Sequence, residues 1–175
     1  MKEHVALIGF MAAGKSTIGR HVARELALPF VDTDALIAER HGPIHEIFAR
    51  EGDAAFRGYE FDVVRGVLAG PPAVVALGGG AVTHEPTRAL LAERALRVYL
   101  EVPVPSLLAR LRKARTIRPV IGEEPTAERV RALLAQREPL YREAELTVRG
   151  ARRSKRALAR EIAERVRLAL GSVPA

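Results

Sequence analysis

The 175-residue chain contains no cysteine and no tryptophan. Without thiols it can form neither a disulfide nor a cysteine-ligated zinc site, which suits a reducing compartment, so a cytoplasmic address is expected. Aromatic residues make up only 5% of the chain. The basic residues do not interleave with stacking rings, and no RNP-type or zinc-finger spacing occurs, so nucleic acid is not an expected partner. No stretch approaches the run of about eighteen apolar residues that reads as a membrane span. The run VALIGFMAAG (5–14) has the length of a signal-peptide core, but it continues directly into a glycine-lysine-serine sequence with no small-residue cleavage pattern behind it. It reads instead as a buried strand and its loop.

Lysine is nearly absent too, occurring only at Lys2, Lys15, Lys113 and Lys155, so arginine carries most of the formal charge of +7. Such a surplus favours anionic partners without choosing among phosphate, carboxylate and nucleic acid. Much of it lies on segments such as ARRSKRALAREIAERVRLAL (151–170), where arginines alternate with apolar residues as on an ordinary solvated helix face.

Short β-rich apolar runs alternate with longer amphipathic ones, the pattern of an α/β protein with a parallel sheet. The expected strands are VALIG (5–9), PFVD (29–32), AVVAL (73–77), LRVYLEV (96–102) and LTV (146–148). Helices are expected over residues 15–27, 35–39, 54–68, 105–111, 127–143 and 154–170, where apolar residues recur every three or four positions. One domain spans residues 1–175, with two interruptions of the alternation: an excursion over 33–68 and a Pro-, Gly- and charge-rich stretch over 112–124. Both are read as covers for a substrate.

The sharpest signal is GFMAAGKS (9–16), which fits G-x-x-x-x-G-K-S directly after a strand and before a helix. Glycines let the backbone turn its N–H groups towards an anion, and the helix N-terminus adds partial positive charge. Lys15 can then reach the β and γ phosphates, and Ser16 can bind Mg²⁺. A guanine-reading switch would need an N/T-K-x-D motif, but the chain has no asparagine and no lysine in a T-K-x-D sequence. Motor-type ATPases usually place a metal-holding carboxylate at the end of the third strand; here AVVAL runs into Gly78, Gly79 and Gly80. Asp32, at the end of the second strand in FVDTD, is the nearest substitute. An extended segment would send Asp32 and Asp34 to the same side.

GFMAAGKS, DTD, FRGYE, GGG, RP and REPLYRE occur in this order over residues 5 to about 150, and the set resembles the shikimate kinase family. The resemblance implies a three-layer α/β/α phosphate-loop kinase of nucleoside-monophosphate-kinase type, with a five-stranded parallel sheet, a substrate-binding excursion and a mobile lid. It further implies transfer of the γ-phosphate of ATP to the 3-hydroxyl of shikimate, giving shikimate 3-phosphate on the way to chorismate and the aromatic amino acids, with Mg²⁺ as cofactor. ATP and shikimate are the expected partners of a monomeric enzyme that needs no membrane. Gluconate kinase, or another small-molecule kinase with the same loop, is the alternative; the His, Asn and Lys-Met motifs usual in gluconate kinases after the acidic pair are missing here.

Carried over residue by residue, the resemblance assigns ATP binding to Gly9, Ala12, Ala13, Gly14, Lys15, Ser16 and Thr17. Arg57 in FRGYE and Arg137 in AQREPLYRE match the arginines that hold the shikimate carboxylate, and Glu60 can steady the Arg57 fork. Gly78, Gly79 and Gly80 would let backbone N–H groups approach the substrate. Arg118, followed by proline, matches the lid arginine that closes over the phosphates, and Lys15, Asp34 and Arg118 form the expected catalytic set. Asp34 would take the proton of the substrate hydroxyl, unless it only caps the following helix; Asp32 and Ser16 would serve the metal. For adenine, Arg112 fits best by spacing among Arg110, Arg112 and Arg115, and Arg153 or Arg152 follows the last strand. The five histidines show no metal-ligand spacing, and Tyr59 and Tyr141 read as packing residues.

Overall fold

The computed structural model describes residues 2–114, 120–122, 124–150 and 153–171. Five strands, β1 (His4–Ile8), β2 (Phe30–Asp32), β3 (Val74–Ala76), β4 (Ala95–Glu101) and β5 (Leu146–Arg149), form one sheet in the order β2-β3-β1-β4-β5. Every neighbouring pair is parallel. β1 is buried along its whole length, as a central strand covered on both faces must be, which is why it reads as an unbroken apolar run rather than an alternating one.

Helices α1 (Lys15–Leu26) and α7 (Lys155–Leu170) pack on each other, and both touch the sheet. The remaining helices are α2 (Thr33–His41), α3 (Ile44–Leu68), α4 (Glu85–Arg94), α5 (Val104–Lys113) and α6 (Ala127–Tyr141). Successive residues of a strand face opposite ways, and β4 shows what lies on each side. Tyr99 stacks on Tyr141 of α6, whereas Leu100 lines a cleft with Ile18 of α1 and Leu158 of α7. The expected three-layer α/β/α kinase architecture is therefore present.

The strand boundaries fall within one or two residues of those expected from the sequence. The excursion over 33–68 is more helical than expected: α3 begins at Ile44, and Gly52, at φ 83°, breaks it ahead of the stretch 54–68 that the apolar spacing marks. Ile37, Ile47, Phe56 and Val63 form a small buried cluster of their own, so α2 and α3 are held together by a local core beside the main one. Helix α4 has no counterpart among the expected elements. Its sequence, EPTRALLAER, buries only Thr87 and Leu91 and so carries almost no amphipathic signal. Pro86 in its first turn and the contact of Thr87 Oγ1 with His84 Nδ1 at 2.9 Å define its start instead. Among the described residues, no helix is long and apolar enough to cross a membrane.

Candidate active site

Residues 9–14 connect β1 to α1 by a loop that ends in Gly14 at φ 98°, a left-handed conformation open to glycine at little cost. Gly14 caps α1 without a side-chain hydrogen bond, and the first turn of the helix holds no acidic residue. The positive end of α1 is thus left for an anion. Lys15 is only 8% exposed, and its Nζ donates to the carbonyl oxygens of Gly9 and Phe10, each at 2.8 Å. The ammonium is therefore folded over the loop it serves. From α5, Arg110 Nη1 donates to the carbonyls of Ala12 and Ala13 at 3.1 and 2.9 Å, bracing the loop from outside.

Beside this loop lies a cleft of about 280 Å³ whose walls include Gly14, Thr17, Arg110, Gly150 and Arg153. Arg153 also pairs with Glu161. Arg112, the residue favoured by spacing, is exposed and does not line the cleft; Arg110, one of its alternatives, does. Arg115, Arg118 and Arg152 lie outside the described residues, as do the remaining lid positions of 115–119 and position 123.

Of the two aspartates in FVDTD, it is Asp32 that caps the helix: its carboxylate accepts from the Ala35 N–H at 3.3 Å. The extended segment ends there, two residues short of the Asp34 to which the alternation would carry it, because aspartate is a strong N-cap. Thr33, fully buried, donates from Oγ1 to the Ala76 carbonyl at 3.3 Å and fastens the helix start to the end of β3. Asp34 lies in the first turn of α2, turned towards the glycines after β3.

Those three glycines each make room for a different neighbour. A Cβ on Gly78 would stand 2.6 Å from Glu60 Oε1 and 2.7 Å from Asp34 Oδ1. On Gly79 it would stand 2.9 Å from the backbone nitrogen of Met11 in the phosphate loop, and on Gly80 2.2 Å from Arg57 Nη2. The glycine turn is thus the meeting point of the two carboxylates, the phosphate loop and the first guanidinium.

Arg57 and Glu60 sit one turn apart on α3 and form an ion pair at 2.5 Å, with Asp53 3.4 Å from Arg57 Nε on the other side. Glu60 is fully buried. Its carboxyl is pushed up to about 7, chiefly by burial and also by the charges of Asp34 and Asp53, against the downward pull of the Arg57 guanidinium. Its Oε1 is buried with no hydrogen-bond partner among the described residues, an acceptor aimed at the space beside Gly78. Arg137, 6% exposed, projects from α6, where Tyr141 follows it by one turn. The hydroxyl of Tyr141 donates to the Gly79 carbonyl. That phenol, read from the sequence as a packing residue, is indeed buried and stacked on Tyr99, and it also reaches the glycine turn.

The donors for a divalent cation are sparse. Among the described residues no group of three or more His, Cys, Asp or Glu side chains could hold a metal. A serine hydroxyl and an aspartate suit Mg²⁺, which keeps several waters and binds through substrate phosphates rather than in a protein cage.

The sequence model of the shikimate kinase family matches residues 11–167. The chain is 46% identical over 145 residues to a shikimate kinase of Nitrobacter winogradskyi, covering 82% of this chain and 67% of that protein. It is 44% identical over 168 residues to a shikimate kinase of Mycobacterium avium, covering 95% and 94% of the two chains. Among solved structures it is similar to a shikimate kinase from Acinetobacter baumannii in complex with shikimate, with a TM-score of 0.89 and 36% identity over 100% of this chain and 97% of that one.

Proposed function

The chain belongs to the shikimate kinase family, and from that premise we propose how its residues divide the phosphorylation of shikimate by ATP. The enzyme transfers the γ-phosphate of ATP to a hydroxyl group of shikimate. The observation that carries the assignment of roles is the pair of buried guanidinium groups: Arg57, packed against Gly80, and Arg137, one helical turn from the Tyr141 whose hydroxyl donates to Gly79. A protein that only bound a nucleotide would have no use for a second buried cationic site. A planar carboxylate on the acceptor is the anion that two such groups would take, since guanidinium forks bind it in two-point fashion.

In this reading the loop 9–17 and Lys15 hold the phosphates, and Thr17, Arg110 and Arg153 flank the nucleoside in the adjoining cleft. The 3-hydroxyl of shikimate faces Asp34. As the hydroxyl oxygen bonds to the γ-phosphorus and the bond to the β-phosphate oxygen breaks, Asp34 accepts the hydroxyl proton, leaving shikimate 3-phosphate and ADP. Lys15, and Arg118 from the lid segment, offset the negative charge on the transferring group. Glu60 Oε1 is positioned to accept from a further substrate hydroxyl while Oε2 holds Arg57. Ser16, and Asp32 through a water, would hold Mg²⁺, which would supply neutralisation of phosphate charge.

The enzyme is further read as one domain, monomeric and cytoplasmic, with ATP and shikimate as its only partners. Membership of β1 and β5 in one sheet supports the single domain, and the lack of cysteine suits the cytoplasmic address. The test is a coupled ADP-release assay. Shikimate should stimulate ADP formation far above the rate without acceptor; equal stimulation by gluconate or AMP would overturn the assignment.

A further inference from the structure

The two acceptor-binding pieces come from distant parts of the chain, Arg137 from α6 and the glycine turn from the end of β3, and they meet at one phenol. Tyr141 is 1% exposed and donates its hydroxyl proton to the carbonyl of Gly79. The Arg137 guanidinium bears on the same hydroxyl: burial pushes the phenol up to about 12, and the charge and hydrogen bonding of Arg137 act to pull it down. A tyrosine that keeps its proton has one O–H to give and lone pairs to receive, so it can serve the carbonyl and the guanidinium at once. The ring has little freedom to leave. It stacks on Tyr99 with 5.2 Å between centroids and 23° between planes, and Tyr99 in turn packs under Gly9, where a Cβ would stand 3.5 Å from its ring.

From this geometry we propose that Tyr141 is a positioning residue for the acceptor, its hydroxyl tying the Arg137 fork to the Gly78–Gly80 turn so that the carboxylate clamp and the ring-binding backbone keep one spacing. This rests on the reading that Arg137 and the glycine turn bind shikimate. Arg137 ends a long side chain, and of the turn's carbonyls those of Gly78 and Gly80 are held by the N–H groups of Ala81 and Thr83, while that of Gly79 accepts from the phenol. Joined through a buried hydroxyl, each limits the other. The ATP cleft shares no residue with this junction, and removing the hydroxyl alone leaves the ring stack beneath Gly9 in place, so its loss acts on the acceptor.

Tyr141→Phe tests the role, because it keeps the ring, its stack and its volume and removes only the hydroxyl. The KM and Kd for shikimate should rise about tenfold, as for loss of one hydrogen bond that bears on a charged group, while the KM for ATP stays within a factor of about two. The effect should also depend on its partner. In an Arg137→Lys background, already weakened for shikimate, adding Tyr141→Phe should cost little more, because the fork it positions is gone. Unchanged shikimate affinity in Tyr141→Phe would overturn the proposal, as would equal losses for ATP and shikimate, or losses that simply multiply in the double variant. If Arg137→Lys weakens shikimate binding and Tyr141→Phe does not, the clamp stands and the phenol's role falls. If Arg137→Lys itself leaves shikimate affinity intact, the clamp reading fails and takes the proposal with it.

Discussion

The two halves of the proposed active site are built in different ways. The proposed phosphate end is a single contiguous loop, 9–17, that would bind through its backbone and one helix terminus, with Lys15 folded over its own loop carbonyls. The acceptor end is assembled from side chains on α2, α3 and α6 around the turn after β3, and it buries opposite charges together. Backbone N–H groups offer any phosphate the same cradle, whereas a set of oriented side chains selects one acceptor. Specificity therefore sits where the burial of charge is hardest to sustain, and the acceptor half should be the more fragile one.

The largest effect expected is on turnover. Asp34→Asn should lower kcat by a factor of about 10²–10⁴, the range for lost general-base help. The melting temperature should barely move, since the cap of α2 belongs to Asp32. Near wild-type turnover at saturating shikimate would take the base out of the acceptor half.

The buried carboxylate gives the next effect. Folded Glu60 holds its proton up to about 7, whereas its ordinary value is 4.5. Its contribution to stability is thus fully present below pH 4.5 and is lost as pH rises through about 7. The shift corresponds to a loss of about 3 kcal/mol. Denaturant unfolding of wild type and Glu60→Gln across that range should diverge by this amount, the wild type losing more as pH rises. Parallel curves would show that Glu60 titrates as it does in the unfolded chain.

The glycines can break the division between the halves. Gly80→Ala should displace the Arg57 guanidinium and weaken shikimate roughly ten- to a hundredfold, as for a lost charge-assisted contact, with ATP binding preserved. Gly79→Ala presses instead on the backbone of Met11 and should weaken both ligands. Calorimetry with each ligand decides; if Gly79→Ala affects shikimate alone, the halves are mechanically independent at that turn.

The smallest effect lies at the border between them. Asp32→Ala removes a helix cap and should cost about 1 kcal/mol, while Asp32→Asn keeps it. Both should raise the Mg²⁺ concentration needed for half-maximal activity. A normal Mg²⁺ requirement in Asp32→Asn would leave Asp32 as a cap alone.

The legibility of the molecule follows the same division. The strands and most helices could be placed from the sequence because apolar periodicity reflects burial directly. The exceptions were α4 and the first part of α3, whose few buried residues leave little pattern to find. The DTD pair was misjudged at one point: an extended geometry was carried past Asp32, whose side chain had already started a helix. Arg57 and Glu60 could be paired in advance, since residues three apart on a helix are neighbours whatever surrounds them.

What the sequence determined by itself was therefore the contiguous part: the octapeptide GFMAAGKS, the ordering of the sheet's elements along the chain and the arginines available for an anion. The tertiary structure decided which side chains meet. It put Arg110, in place of the better-spaced Arg112, against the phosphate loop, and it set each of three identical glycines against a different neighbour. It also joined Tyr141 to a carbonyl 62 residues away. Dihedral preferences and short-range hydrogen bonds act between neighbours in the chain and can be read there. A contact across the sheet depends on the order and register of strands that no local pattern states, and on which helix covers them.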